Sequence, residues 1–350
     1  MYRIFGADLK KLTSLGVGGT IGTLTVAERP EEVEPSVVLG RGTNVLAPDG
    51  GLRAALLPRI TGLKLTPDGL YAGAGEAITT VIKNFLTYKK PETQMKYFGN
   101  TLVRTAPLLM CSLSILFAYK AGLFNIGAAG QYCAGAGMAL YAALAWHMPW
   151  WLCMIMAMLG GALLGVISGL LKSYCNVNEV ISGIMLNWIT LYVVNILLTN
   201  VKEAASPYTM PVAHVNGGAI IPSLGLGKLF NNNQYVTLAI PLAILIAVGL
   251  HILLEKTRLG YELKATGNNK NAAKYCGMAE RRNLILTLAI GGALAGLGAA
   301  MLYLTGYEQW QCSQSSVPAM GFNGIAAAFL GGLNPIGTIL ASFFLQHITI

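Results

Sequence analysis

The stretch EKTRLGYELKATGNNKNAAKYCGMAERR, residues 255–282, decides the fold class because it is a polar island between two apolar runs. The runs, residues 235–254 and 283–305, are each long enough to cross a bilayer, which takes about 20 apolar residues in a helix. The island carries seven Lys or Arg side chains and three Glu. Short basic loops between membrane spans are retained on the cytoplasmic side. The stretch therefore predicts a cytoplasmic loop that joins two membrane helices.

The composition of the whole chain indicates an integral membrane protein. Of its 350 residues, 54% are hydrophobic and 11% are charged, and the mean hydropathy is +0.56. Soluble proteins carry about 25% charged residues. Residues 121–171 and 309–350 contain no Asp, Glu, Lys or Arg. The net charge of +9 falls in the membrane part and its loops, since residues 1–76 are neutral, so it predicts orientation rather than nucleic-acid binding.

The apolar runs predict an all-α polytopic membrane protein with about six to eight spans, some of them broken helices. The spans are predicted at residues 105–119, 124–146, 151–171, 180–199, 235–254 and 283–305, and in a final tract, 321–350, that GGLNP interrupts at 331–335. Residues 77–104, which are basic and partly apolar, are predicted to be a linker or an amphipathic segment on the membrane surface. Counting spans back from the cytoplasmic loop places Lys120 and residues 172–179 inside, and residues 77–104, 147–150 and 200–234 outside. For residues 77–104 this placement conflicts with their charge.

Residues 1–76 have a different pattern, in which short apolar runs alternate with Gly, Pro and Asp, as is typical of β-rich structure. Three glycine-rich motifs occur in order, TSLGVGG (13–19), LGRGTNVL (39–46) and AGAG (72–75). Glycines of this kind let backbone N–H groups approach a pyrophosphate. On these motifs the stretch resembles the start of the flavin-binding domain of UDP-N-acetylenolpyruvoylglucosamine reductase. The resemblance implies flavin contacts at Gly40, Gly42, Thr43 and Asn44. Because it stops near Gly75, we expect a non-functional partial domain, with FAD unlikely.

The segment GLFNIGAAGQ, residues 122–131, places polar and glycine residues where a span should be apolar. A helix broken inside the membrane is tolerated where it is buried in protein or lines a cavity, and such helices mark transport pathways. Asn125 and Gln131 are therefore candidate pathway residues. The alternative is a glycine-rich helix contact in which both amides bond between helices.

The segment NVNEVISGIMLN, residues 176–187, brings polar groups together at a predicted helix start. Ionisable groups near a span are functional candidates by default, so Asn178, Glu179, Ser182 and Asn187 are assigned to the translocation pathway. The alternative for Asn178 and Glu179 is helix capping, since carboxylates suit helix N-termini.

Glycines at helical spacing predict close helix crossings. Gly161, Gly165 and Gly169 recur every four residues, as do Gly292 and Gly296, and small residues at this spacing let membrane helices approach. No pattern predicts a catalytic residue or a metal ligand: the six cysteines are scattered, the four histidines are isolated and no phosphate loop is present. We expect this chain itself to bind no cofactor.

Four motifs in order support a family resemblance over residues 78–350: GLFNIGAAGQ, NEVISGIMLN (178–187), GYELKATGNNKNAAKYCG (260–277) and GFNGIAAAFLGG (321–332). On them the chain resembles the membrane permease subunit of a bacterial ATP-binding-cassette importer, in the branch that takes up nucleosides and simple sugars. The resemblance implies location in the bacterial plasma membrane. It implies three partners: a cytoplasmic subunit that binds and hydrolyses ATP, a second permease subunit and an extracytoplasmic solute-binding protein.

The resemblance also implies a coupling helix in the polar island, expected at residues 268–275, that seats in a cleft of the ATPase and switches the pathway. The residues assigned to this coupling loop are Gly267, Asn268, Asn271, Ala272, Ala273 and Lys274. Asn268 is expected to cap the helix, and Asn271 to Lys274 to form a small, partly basic docking face.

Relatives continue beyond the position of Ile350, so residues 105–350 are expected to be a permease domain truncated at its C-terminus. Two other functions stay open at this point. One is a flavin-dependent reductase, which rests on residues 1–76 alone, and the other is a membrane scaffold that transports nothing.

Overall fold

The structure is a computed structural model, and it describes residues 2–8, 20–27, 37–38, 52–58, 63–66, 69–72 and 91–349. Side chains are described from Met95 to Thr349. The chain divides into two compact units, Met1–Gln94 and Met95–Ile350.

The first unit contains short strands in two sheets. The larger sheet has the order β1 (Tyr2–Asp8), β2 (Thr20–Ala27), β4 (Leu52–Pro58), β3 (Val37–Val38). Strands β1 and β2 are antiparallel, and β4 runs parallel to both β2 and β3. The other sheet is an antiparallel pair, β5 (Leu63–Thr66) and β6 (Gly69–Ala72). The predicted flavin positions Gly40, Gly42, Thr43 and Asn44 lie outside the described residues, so the partial flavin domain stays a prediction.

The second unit is mainly helical in its described part, with isolated β-bridges between Lys202 and Thr209 and between Tyr208 and Gln311. Its long or apolar helices are α1 (Pro91–Lys120), α2 (Ala128–Leu144), α3 (Trp150–Cys175) and α4 (Glu179–Thr199). Two single turns, α5 (Val212–Val215) and α6 (Leu226–Leu229), follow with a 3-10 turn at Gly217–Ala219. The remaining helices are α7 (Ala239–Lys256), α8 (Arg258–Asn268), α9 (Lys270–Tyr275), α10 (Glu280–Tyr303), α11 (Met320–Leu330) and α12 (Pro335–Thr349).

Five of the described helices are long and apolar enough to cross a membrane: Met95–Lys120, Trp150–Cys175, Glu179–Thr199, Ala239–Lys256 and Glu280–Tyr303. Only 28% of the most apolar window of α7 is buried within the protein. Such a large exposed apolar surface is stable in lipid but not in water. Helices α2, α11 and α12 are shorter, with 17, 11 and 15 residues. The break predicted at 331–335 is present between α11 and α12, while the total of six to eight spans stays a prediction.

The first long helix begins earlier than the predicted span. Helix α1 is continuous from Pro91, and its part that is long and apolar enough to cross a membrane begins at Met95, whereas the predicted place of residues 77–104 on the membrane surface stays a prediction. The sequence suggested a later start because Arg104 is charged, but its guanidinium forms an ion pair with Glu308. A partner of opposite charge lets such a residue remain inside a span.

Glycine contacts form the centre of the bundle, where α3 crosses α10. A Cβ at Gly161 would collide with the carbonyl oxygen of Gly292, and one at Gly165 with that of Leu288. Gly135 of α2 meets Gly296 of α10 in the same way. The predicted small-residue crossing is therefore confirmed, and backbones this close let α2, α3 and α10 pack as one body.

The loops of the bundle gather at two opposite ends. At one end the backbone of Gly122 contacts that of Gly267, and the Arg281 guanidinium lies 5.2 Å from the centre of the Tyr174 ring. At the other end, Ile221 N–H donates to the Leu304 carbonyl at 3.1 Å, and Asn233 Nδ2 donates to the Lys96 carbonyl at 3.0 Å. These groupings agree with the sides counted from the sequence. We call the first the coupling end and the second the outer end.

Candidate coupling loop and translocation cavity

The polar island folds into two short helices at a sharp turn. Thr257 caps α8, its Oγ1 accepting from Gly260 N–H at 3.2 Å. Asn269 caps α9, its Oδ1 accepting from Ala272 N–H at 3.0 Å. The expected cap, Asn268, is instead the last residue of α8, so that prediction is corrected by one residue. Asn269 has the extended backbone, φ −154° and ψ 103°, that an N-cap requires.

The exposed face of α9 differs from the predicted docking face at one position. Asn271, Ala272 and Lys274 are exposed, but Ala273 is buried, at 3% exposure. Ala273 therefore packs against the permease itself, and its assignment to an outward face is wrong. Tyr275, which lies in the predicted coupling helix but was not assigned to its docking face, is 93% exposed and extends this face with an aromatic ring.

The other side of the coupling loop rests on the membrane helices. A Cβ at Gly267 would lie 2.7 Å from the Gly122 nitrogen and 2.9 Å from the Ala121 Cα. Gly122 has φ +73°, a conformation that glycine adopts without cost. Asn283 Nδ2 at the start of α10 donates to Thr266 Oγ1 at 3.0 Å. Gly267 therefore packs directly against the segment that leads from α1 into α2.

That segment carries the first pair of predicted pathway residues, which form a buried polar cluster. Asn125 Nδ2 donates to Gln131 Oε1 at 2.8 Å and to Ser114 Oγ at 3.0 Å, and Gln131 Nε2 returns a bond to Asn125 Oδ1 at 3.2 Å. Asn125 also borders Gly291, eleven residues into α10 and thus about 16 Å along it. The chain therefore runs along α10 in a non-helical conformation before α2 begins, which leaves α2 with only 17 residues; we call this segment and α2 together the broken helix.

The second set of predicted residues lies on α4 and is divided between two places. Asn187 joins the polar cluster, because its Oδ1 accepts from Gly130 N–H at 2.7 Å and its Nδ2 donates to the Ile126 carbonyl at 3.1 Å. Asn178 Oδ1 accepts from Val180 N–H at 2.9 Å, which confirms its capping alternative. Glu179 pairs with Lys172 Nζ at 2.6 Å, and Ser182 Oγ donates to the Glu179 carbonyl at 3.2 Å. The pathway role of all six residues stays a prediction.

A cavity of about 510 Å³ opens toward the outer end, within the range of small-molecule sites. Besides apolar side chains and Thr349, its lining contains tyrosines, side-chain amides and one ion pair. These are Tyr132, Tyr208, Tyr303, Gln309, Gln311, Gln314, Asn323, Gln346, Arg104 and Glu308. The Tyr132 and Tyr303 ring centres are 6.3 Å apart, and both side chains are nearly buried, whereas Tyr208 is 40% exposed. Tyr132 directly follows Gln131, so the polar cluster lies between this cavity and the coupling end.

Sequence reasoning missed these lining residues as a site. Arg104 was assigned to a linker, and Tyr132, Tyr303 and Gln346 come from three different helices. Of the lining residues, Asn323 alone falls within one of the four family motifs, GFNGIAAAFLGG. That motif was the one feature of the sequence that pointed to a residue of this cavity.

The comparisons with known proteins concern the helical unit. A family model described as branched-chain amino acid transport system, permease component, matches residues 97–350. The guanosine ABC transporter permease protein of Bacillus subtilis is 34% identical over 263 residues, which cover 73% of this chain and 74% of that protein. The nucleoside ABC transporter permease protein of Lactococcus lactis is 36% identical, covering 70% and 69%. The glucose ABC transporter permease protein of Haloferax volcanii is 30% identical, covering 72% and 69%. No solved structure matches the chain.

Proposed function

The chain belongs to the family of branched-chain amino acid transport system permease components, and from this premise we propose that it moves a nucleoside through the cavity at its outer end. As a member of this family it is a multi-pass permease of the plasma membrane and the membrane subunit of an ATP-binding-cassette importer. The nucleoside is proposed because the guanosine permease of B. subtilis and the nucleoside permease of L. lactis are similar over most of the chain.

The lining of the cavity is the observation that carries the proposal. A nucleoside presents a flat aromatic base and a ribose with several hydroxyls. The tyrosines of the cavity offer ring surface, and stacking of a base on such a ring is worth about 1–3 kcal/mol. The amides of Gln309, Asn323 and Gln346 can each donate and accept hydrogen bonds, as the base edges and hydroxyls require.

Uptake through a tyrosine variant tests this assignment. Tyr208 is the most exposed of the three lining tyrosines, so its ring is the most accessible to an entering base. Tyr208→Ala is expected to slow the initial uptake of labelled guanosine about tenfold, which corresponds to 1.4 kcal/mol. The matched control is Tyr192→Ala on α4, where the ring is 53% exposed away from the cavity. Equal uptake by the two variants would contradict a role for the cavity tyrosines.

The proposed coupling route starts at a separate ATP-binding subunit. Its cleft would receive the exposed face of α9, made by Asn271, Ala272, Lys274 and Tyr275, while Gly267 passes the motion to Gly122 at the base of the broken helix. From there the route continues into the Asn125–Gln131 cluster. A displacement of α9 would be transmitted along this route, because its backbone contacts and buried hydrogen bonds are closely packed and packed interiors transmit strain.

The six pathway candidates take two roles in this proposal. Asn125, Gln131 and Asn187, which do not line the cavity themselves, would form a closed layer between the cavity and the coupling end. Asn178, Glu179 and Ser182 fix the start of α4, with the Lys172–Glu179 ion pair holding α3 and α4 together at that end. A second permease subunit would complete the pathway, and an extracytoplasmic solute-binding protein would deliver solute to the outer end.

A simple sugar is the second candidate solute. It is favoured by the similarity to the glucose permease and by the amides of the cavity, which suit hydroxyl groups as well as bases. Competition decides between the two, since excess glucose should leave guanosine uptake unchanged if the solute is a nucleoside.

A further inference from the structure

We propose that the ion pair between Arg104 and Glu308 makes the cavity select uncharged solutes, with Glu308 as the residue that excludes anions. The inference rests on the proposed function and extends it from a solute class to a charge rule. It predicts that a nucleoside enters and that its 5′-phosphate does not.

The ion pair supplies all the formal charge in the cavity lining. Among the described residues that line it, only Arg104 and Glu308 are of a formally charged type, and the others are aromatic, amide, apolar or hydroxyl side chains. Arg104 Nη2 binds Glu308 Oε1, and each side chain is 32% exposed. The lining is therefore neutral overall, although it contains a strong cation.

Arg104 is held in place by groups that leave part of its donor set unused. Its guanidinium carbon lies 5.3 Å from the centre of the Tyr307 ring, and its Nε makes no hydrogen bond to any described residue. Among the described residues, Glu308 is the one charged partner of Arg104. An arginine fixed in this way would bind phosphate well if the carboxylate were absent, because guanidinium and phosphate match in a two-point geometry.

Glu308 prevents that binding in two ways. It neutralises the charge of the guanidinium, and its own negative charge repels an incoming phosphate in a site where solvent is partly excluded. A zwitterionic amino acid would face the same difficulty, since neither of its charges finds a free partner. A neutral nucleoside breaks no ion pair on entry.

The test measures competition for binding at the assembled importer. The complex of permease and ATP-binding subunits is purified in lipid nanodiscs, and tritiated guanosine is displaced with guanosine or with guanosine 5′-monophosphate. The wild type is expected to bind guanosine and to reject the monophosphate. In Glu308→Gln the monophosphate should compete about tenfold better or more relative to guanosine, as expected for a new hydrogen-bonded contact with a charged group.

Three further variants separate charge selection from a change in fold. Glu203→Gln removes the same charge from an exposed position outside the cavity lining and should leave rejection intact. R104Q/E308Q removes both charges and should also reject the monophosphate, because no free arginine remains. The exchanged pair R104E/E308R keeps a neutral ion pair and should behave like the wild type.

The outcomes distinguish this inference from the proposed function. If Glu308→Gln discriminates as the wild type does, or if the wild type accepts the monophosphate as readily as guanosine, charge selection by this pair is overturned while nucleoside transport stands. If the wild type binds glucose and no guanosine, the proposed solute is overturned, and the pair is then judged in the same variants with glucose and glucose 6-phosphate.

Discussion

Replacing Asn187 with leucine should loosen α4 from the broken helix. The side chain makes two hydrogen bonds, both to backbone groups of residues 126–130, at 2.7 and 3.1 Å. It is 2% exposed, so water cannot replace it. Leucine has the same branching and number of side-chain heavy atoms but leaves Gly130 N–H and the Ile126 carbonyl without these partners.

The expected size follows from hydrogen bonds measured between membrane helices, which average about 0.6 kcal/mol and reach about 1.7. Two such bonds predict a loss of about 1–3 kcal/mol in the free energy of unfolding. Denaturant-driven unfolding in mixed micelles, followed by circular dichroism, measures this loss. The control is Met185→Leu on the same helix, where the side chain is 60% exposed and the volume is nearly conserved. If Asn187→Leu unfolds at the same denaturant concentration as Met185→Leu, the bonds do not hold α4 in place and the reasoning is refuted.

Three other predictions concern the coupling face, the orientation and the glycine crossing. Ala272→Glu, on the exposed face of α9, should abolish uptake of guanosine while leaving the amount of inserted protein unchanged; normal uptake would rule out docking there. In intact cells a membrane-impermeant maleimide should label Cys312 but not Cys276, and labelling of Cys276 would reverse the proposed orientation. Because partial burial raises the pKa of the Cys312 thiol, the rate of its labelling should increase as the pH rises above neutral. Gly165→Ala should destabilise the protein by about 1–3 kcal/mol, as expected for overpacking, because its Cβ meets the Leu288 carbonyl, whereas Gly249→Ala, with open space around it, should cost little; equal melting temperatures would contradict the close crossing.

Features that depend on local composition could be predicted from the sequence. Long apolar runs indicated helices near their observed places, because a helix that crosses lipid is recognised by about 20 apolar residues in a row. Glycines spaced by four, such as Gly161 and Gly165, predicted the α3–α10 crossing because only hydrogen side chains allow that approach. Asn178 was predictable as a cap because its bond is made within its own turn.

Features that depend on contacts between distant residues were mistaken or missed. Two adjacent asparagines made the cap of α9 ambiguous, and the turn after α8 selected Asn269. Ala273 faces inward because α9 packs on the permease, which periodicity in a six-residue helix does not reveal. The start of α1 was misplaced because the partner of Arg104 lies 204 residues away. The cavity was invisible for the same reason, since its walls are assembled from helices far apart in the chain.

The coupling loop presents two surfaces, and one of them can change in sequence without altering the other. On the side toward the bundle, Gly267 contacts the backbone of Ala121 and Gly122. Any side chain at position 267 would collide with that backbone, so the sequence of this interface has little room to vary. On the side toward water, the six residues of α9 offer side chains that can change without disturbing the joint beneath. On the proposed docking of α9, exchanging this one short helix would match the permease to a different ATP-binding subunit, and a chimaera that carries only the hexapeptide of a relative is the smallest alteration that should let the permease accept the relative's ATPase.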